Sequence, residues 1–252
     1  MNLFDLTGKK ALVTGSSRGI GRAIAEAFHE AGAEVILNGA TERVHQTAAE
    51  LTALYGQKMT AVQADLGQRT ETKRLFDQTL EILGGLDILC VNHGLQRAHQ
   101  AENFPIEDWD TVLEVDLTAM FILNQLAGKY MLAHGGGKII NIASLLSVIG
   151  GRTVPAYAAA KGGVVQLTKA LSNEWAGRGV NINAIIPGYI HTDLTEDLVH
   201  DPGEGAQLFA RIPVGRWGVA DDLKGVAVFL ASAASNYISG AAIPVDGGFL
   251  AR

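Results

Sequence analysis

Thr14-Gly15-Ser16-Ser17-Arg18-Gly19-Ile20-Gly21 stands between a short apolar run, Ala11-Leu12-Val13, and a segment whose apolar residues fall at Ile20, Ala23, Ile24, Ala27 and Phe28. That spacing predicts a helix with one buried face. Glycines in the turn before it let a strand fold sharply back, so that backbone N–H groups and the helix N-terminus face an anion with no Cβ in the way. The stretch reads as a turn that holds nucleotide phosphates. Taken alone it does not separate such a turn from an ordinary loop, so its neighbours must supply the context.

Working outward, Gly32 ends the first helix, Glu34-Val35-Ile36-Leu37 reads as a strand, and Arg43 to Tyr55 is helix-patterned. The alternation continues. Strands are expected at Met59 to Gln63, Asp87 to Val91, Lys138 to Ala143, Asn181 to Ile186 and Ala241 to Val245. Helices are expected at Glu71 to Leu83, Asp108 to Leu132 (closed by Gly135-Gly136-Gly137), Ala156 to Ala176 and Asp221 to Ala231. Apolar runs that barely alternate, each separated by a helix, are what a parallel sheet covered on both faces requires. The fold class is therefore α/β, a doubly wound seven-stranded parallel sheet in a single domain. In such folds ligands sit beyond the carboxyl ends of strands. Chemistry is then sought at Thr14-Gly15, at Asn92 to Gly94, at Ser144 and at Pro187-Gly188.

The charge balance is −6, from 20 basic and 26 acidic residues, with no basic run or tail, which argues against nucleic acid and anionic membranes as partners. A small molecule is the expected ligand. No stretch of about 20 apolar residues spans a bilayer, the start lacks an export pattern, and the lone Cys90 cannot form an intrachain disulfide. The expected location is cytoplasmic. The seven histidines form no close ligand set along the sequence, so no metal is expected. The irregular stretch 188–218, following a strand end, is read as a substrate lid.

Tyr157 and Lys161, four apart on a helix, project from one face, and Ser144 follows a strand directly. Separately these read equally as an exposed pair and a capping serine. Together they suit proton transfer coupled to hydride transfer. A phenol normally titrates near 10, and a nearby cation favours its phenolate.

Thr14-Gly15-x-x-x-Gly19-x-Gly21, Asn92-x-Gly94, Ser144, Tyr157-x-x-x-Lys161 and Pro187-Gly188 together resemble the short-chain dehydrogenase/reductases, a Rossmann-fold family, from end to end. Gly136 to Ser144, Asn173-Glu174-Trp175-Ala176, Arg211-Ile212-Pro213-x-Gly215-Arg216-Trp217-Gly218 and Asp246 to Arg252 are similar to its sugar-acid branch of gluconate and 2-dehydro-3-deoxygluconate 5-dehydrogenases. The resemblance implies that Tyr157 exchanges the proton, Ser144 holds the reacting oxygen, and Lys161 binds the nicotinamide ribose and favours the phenolate. It also implies dinucleotide contacts from Gly15, Ser17, Arg18, Gly19, Ile20 and Gly21, from Asn38, Gly39 and Ala40, and from Asp65 and Leu66. Further contacts would come from Asn92, Gly94, Pro187, Gly188, Ile190 and Thr192, with substrate touching His93, Gln96, Arg97 and Tyr189. A homotetramer is implied as well.

Two positions depart from the family pattern: His93, in Val91-Asn92-His93-Gly94, which is read as a packed helper beside the nicotinamide rather than a catalyst, and Asp116, which replaces the catalytic asparagine. Aspartate, when ionised, only accepts hydrogen bonds, so Asp116 either pairs with Lys161 or is protonated to imitate the amide. For the cofactor, Asn38-Gly39-Ala40-Thr41 lacks the acid that holds a free ribose diol, and Arg18 suits a 2′-phosphate. NADP(H) is preferred and NAD(H) is possible. Alternative readings are a 3-oxoacyl reductase and a non-catalytic nicotinamide-binding sensor.

Overall fold

Seven strands form one parallel sheet in the order β3-β2-β1-β4-β5-β6-β7. They are β1 (Lys10–Val13), β2 (Glu34–Gly39), β3 (Thr60–Gln63), β4 (Ile88–Val91), β5 (Gly137–Ile142), β6 (Val180–Pro187) and β7 (Ala242–Val245). This is a computed structural model describing residues 3–193 and 195–252; Leu194, within the expected lid, and Met1 and Asn2 lie outside the described residues.

The strands are short because each crosses one buried layer, and their side chains divide by parity. Leu12, Ile36, Leu89, Ile139 and Ile182 face one core with Leu75, Met120, Leu123 and Val164 from the helices over it. Val13, Leu37, Cys90 and Ile140 face the other, against Ile24, Phe28, Leu51 and Leu230. A fully buried leucine or isoleucine contributes about 1.5–3 kcal/mol relative to exposure. Burial on both faces is why the strands read as continuous apolar runs.

The helices are α1 (Gly19–Glu30), α2 (Arg43–Tyr55), α3 (Arg69–Leu83), α4 (Ile106–Leu113), α5 (Ala119–Ala133), α6 (Pro155–Trp175), α7 (Glu196–His200), α8 (Glu204–Phe209) and α9 (Lys224–Ala231). Four differ from expectation, α7 and α8 because they lie in the stretch 188–218 read as irregular. The long helix is interrupted: Glu114–Thr118 is a π segment, and the Ala119 N–H reaches back five residues to Glu114 O. Apolar periodicity does not register one inserted residue in a helix, although such bulges often mark functional positions. The last helix begins as a 3₁₀ turn, Ala220–Leu223, before α9.

The strand order reverses about β1 and β4, which pair directly through Ala11–Ile88 and Val13–Cys90. A ligand crevice belongs at that switch point. Both the glycine turn and the Asn92 to Gly94 segment emerge there.

Candidate active site

The glycine turn is clamped to β2. Ser16 N–H donates to Asn38 O at 2.8 Å, and Asn38 N–H donates to Ser16 Oγ at 3.0 Å. A Cβ on Gly21 would lie 2.3 Å from Gly15 O, so only glycine lets α1 start against the turn. Beside it, the guanidinium of Arg18 and that of Arg43 (at 3.6 Å) converge on one Asp193 carboxylate oxygen. Two cations meeting at one anionic atom show that this corner stabilises an anion, and they hold the Asp193 carboxyl below its usual range. Arg43, at the start of α2, escaped the sequence reading, which weighed only Arg18 for a 2′-phosphate.

The Asn38 side chain is buried, and its amide donates to Val62 O at 3.1 Å and Ala64 O at 3.2 Å, stapling β2 to β3. Ser17 lies against Gly39, within 3.3 Å of where its Cβ would stand, and Gly39 is followed by exposed Ala40. Asp65 is exposed beyond β3 and accepts from Gly67 N–H at 3.0 Å, while Leu66 packs into the core.

His93 is buried behind the cleft. Its Nε2 lies 3.1 Å from Val115 O, which only accepts, so Nε2 carries the proton; Nδ1 then accepts from Thr14 Oγ1 at 2.9 Å. Thr14 Oγ1 in turn accepts from Asn92 N–H at 3.0 Å. Burial, and secondarily the nearby Lys161 charge, pushes the imidazole down to about 3. His93 is a neutral strut behind the cleft, with no ring nitrogen left for substrate.

Lys161 and Asp116 form the buried electrostatic centre, with side chains 3% and 0% exposed and Nζ 3.6 Å from Oδ2. Lys161 also donates to Ile142 O at 3.2 Å, and its Nζ lies 5.6 Å from the Tyr157 ring centroid. Asp116 Oδ1 accepts from Leu95 N–H at 2.8 Å, whereas Oδ2 has no hydrogen bond and faces the ammonium. Burial raises the Asp116 carboxyl, while Lys161 and the Leu95 N–H oppose that rise. Gly94 makes room for this arrangement: a Cβ there would come within 2.9 Å of Asp116 Oδ2 and 3.3 Å of Lys161 Nζ.

Ser144 both caps and presents. Its Oγ accepts from Leu146 N–H at 3.1 Å, and its N–H donates to Ser147 Oγ at 3.1 Å. With Oγ already accepting, the hydroxyl proton is free to donate to a ligand oxygen.

These parts share one cleft of about 800 Å³. Its walls include Arg18, Gly19, Ile20, Asn92, Gly94, Gln96, Ser144, Tyr157, Lys161, Pro187, Gly188, Tyr189, Ile190 and Thr192. Tyr189 is held edge-on against Phe249 and Trp217, at 5.3 and 5.9 Å between ring centres. Arg97 stands apart, exposed, with Nε 3.6 Å from Asp108 and Nη1 bonded to Gln96 O. The sequence reading missed Arg152 on the wall, and Thr195, Asp197, Leu198, Asp201, Glu204 and Leu208 from the 188–218 segment. It also missed a His191, Glu196 and His200 set whose ligand atoms lie within 4.8 Å of one another. The expectation of no close histidine set is corrected: α7 places Glu196 and His200 four apart and turns them towards His191.

A family model described as enoyl-(acyl carrier protein) reductase matches residues 15–250. The chain is 47% identical over 251 residues to the 2-dehydro-3-deoxy-D-gluconate 5-dehydrogenase of Bacillus subtilis (strain 168), covering 99% of this chain and 97% of that protein. The chain belongs to the short-chain dehydrogenase/reductase family. Among solved structures, this dehydrogenase/reductase is similar to a gluconate 5-dehydrogenase from Burkholderia cenocepacia J2315 in complex with NADP and tartrate, with TM-score 0.94, 37% identity, and coverage of 100% of this chain and 98% of that one. A short-chain type dehydrogenase/reductase from Mycobacterium marinum has TM-score 0.93 and 36% identity, covering 100% and 99%. No helix among the described residues of the dehydrogenase/reductase is long and apolar enough to cross a membrane.

Proposed function

We propose that this dehydrogenase/reductase interconverts a secondary alcohol and a ketone on a sugar acid, using NADP(H). The observation that carries the reading is one cleft in which Ser144 and Tyr157 stand together, with a buried lysine against the tyrosine. The substrate class is supported by the B. subtilis and B. cenocepacia relatives, which act on sugar acids by name.

The residues present fit a phosphorylated dinucleotide. The turn from Ser17 to Gly21 and the α1 N-terminus would hold the pyrophosphate, and Arg18 with Arg43 would hold a 2′-phosphate where they now converge on Asp193. Asp65 and Leu66 would adjoin the adenine, Asn92, Gly94 and Lys161 the ribose, and Pro187, Gly188, Ile190 and Thr192 the carboxamide. When bound, the nicotinamide supplies or accepts the hydride at C4.

The chain's own work is proton transfer and charge control. Ser144 donates a hydrogen bond to the substrate oxygen. In ketone reduction Tyr157 gives its phenolic proton to that oxygen; in oxidation the phenolate takes it back. The Lys161 ammonium stabilises the phenolate, and Asp116 sets how much of its positive charge is felt. The 188–218 segment serves as a lid, since ten of its side chains, from Tyr189 to Leu208, line the cleft. A homotetramer and a cytoplasmic location belong to the same proposal.

Absorbance at 340 nm should show the highest kcat/KM for a keto-sugar acid with NADPH among sugar acids, polyols, diketones and oxoacyl esters. Tyr157→Phe should bind NADPH without turnover. A preference for an oxoacyl ester, or turnover surviving in Tyr157→Phe, would sink the proposal.

A further inference from the structure

Gly150-Gly151-Arg152-Thr153-Val154 runs from the Ser144 end of β5 into α6 and places Arg152 on the cleft wall, five residues before Tyr157. The backbone there is held firmly. Thr153 has φ 63°, the one positive φ at a non-glycine position among the described residues. Its carbonyl accepts the His99 N–H at 2.8 Å, tying the strand of chain to the segment after β4. A Cβ on Gly151 would come within 2.7 Å of Leu146 and Val154 carbons, so the backbone is packed between those side chains. A left-handed threonine is strained and persists only where its surroundings enforce it, as at ligand clamps.

Charge singles out the same residue. Three cations line the cleft: Arg18, Arg152 and Lys161. Arg18 is engaged by Asp193 and Lys161 by Asp116. The Arg152 guanidinium has neither an acidic partner nor a side-chain hydrogen bond among the described residues. It therefore keeps all its donors, in a planar fork that matches the two oxygens of a carboxylate. Asp197, Asp201 and Glu204 line the lid side of the cleft, where like charge would repel an acid and hydroxyl groups would be accepted. Arg97, the alternative, is off the wall and beside Asp108.

We propose that Arg152 binds the substrate's carboxylate, making it the residue that selects acids over neutral polyols and ketones. This rests on the sugar-acid reading above. With the carboxylate fixed at Arg152 and the reacting oxygen at Ser144 and Tyr157, the span between them decides which carbon of the acid is oxidised.

The test compares 5-keto-D-gluconate with its uncharged primary amide, using NADPH, in wild type, Arg152→Gln, Arg152→Lys and Arg97→Gln. Arg152→Gln should lose roughly a hundredfold in kcat/KM for the acid, chiefly through KM, consistent with loss of a bidentate charged hydrogen bond. Its kcat/KM for the amide, its NADPH affinity and its melting temperature should stay near wild type. Arg152→Lys should recover part of the loss, and Arg97→Gln should keep the preference for acid over amide. Acid preference retained in Arg152→Gln, or lost in Arg97→Gln instead, overturns the Arg152 assignment alone. A wild type that handles acid and amide equally overturns the sugar-acid reading itself.

Discussion

Replacing Asp116 with asparagine removes one formal charge from a fully buried position 3.6 Å from Lys161 Nζ. Two unit charges at that separation interact by about 5 kcal/mol at an effective dielectric of 20. The same ammonium is 5.6 Å from the Tyr157 ring centroid, where its Coulomb attraction for a unit negative charge is about 3 kcal/mol at that dielectric. An ionised Asp116 cancels part of that attraction, so Asp116→Asn should move the acidic limb of log kcat/KM for alcohol oxidation towards lower pH. The amide also cannot copy both contacts: accepting from Leu95 N–H through Oδ1 turns an NH₂ towards the ammonium. The maximal rate should therefore fall while the limb moves. The assay is initial-rate oxidation at saturating NADP from pH 5 to 10, with Asp116→Ala to separate charge from hydrogen bonding. Superimposable limbs in wild type and Asp116→Asn would mean that Asp116 carries no negative charge in the working enzyme, and the argument would fail.

Two further outcomes are expected. His93 is held neutral, pushed down to about 3 from 6.5, so the unfolded chain binds more protons between those values and stability falls as pH drops from about 6.5 towards 3, by up to about 1.4 kcal/mol per pH unit. Urea unfolding from pH 6.5 to 4 should show a shallower loss in His93→Asn than in wild type, and equal slopes would contradict the assignment. Arg18→Ala and Arg43→Ala should each lower kcat/KM with NADPH by roughly tenfold to a hundredfold, the worth of a charge-assisted hydrogen bond, while changing NADH little. A variant that lost both cofactors alike would show that the corner does not read the 2′-phosphate.

The fold was legible because two-sided burial writes itself into the strands. Val13, Leu37 and Cys90 face one core while their neighbours Leu12, Ile36 and Leu89 face the other, so each strand is a plain apolar run. Ser144, Tyr157 and Lys161 were legible because they sit at a strand end and on one helix face. What escaped depends on side chains meeting across distant elements. Nothing in Asn38 reveals that its amide is consumed by β3, and nothing in His93 reveals that Thr14 and Val115 occupy both ring nitrogens. Arg152 was hidden for another reason: it is exposed, aperiodic and follows two glycines, the signature of an ordinary loop until the cleft is seen around it. The π segment was invisible because one extra residue in a helix leaves both flanking patterns intact.

The hydrogen bonds running from Thr14 through His93 to Val115 join the end of β1 to the residue preceding Asp116. The phosphate turn and the acid that tempers Lys161 are thus mounted on a common linkage. A protein engineer who grafts the Thr14 to Gly21 loop onto another sheet would leave behind the histidine and the wound segment that give it its bearing on the proton donor. Cofactor preference and acid–base timing are accordingly not separable modules in this chain, and recombination between relatives should succeed best at crossovers that keep β1, β4 and residues 114–118 from a single parent.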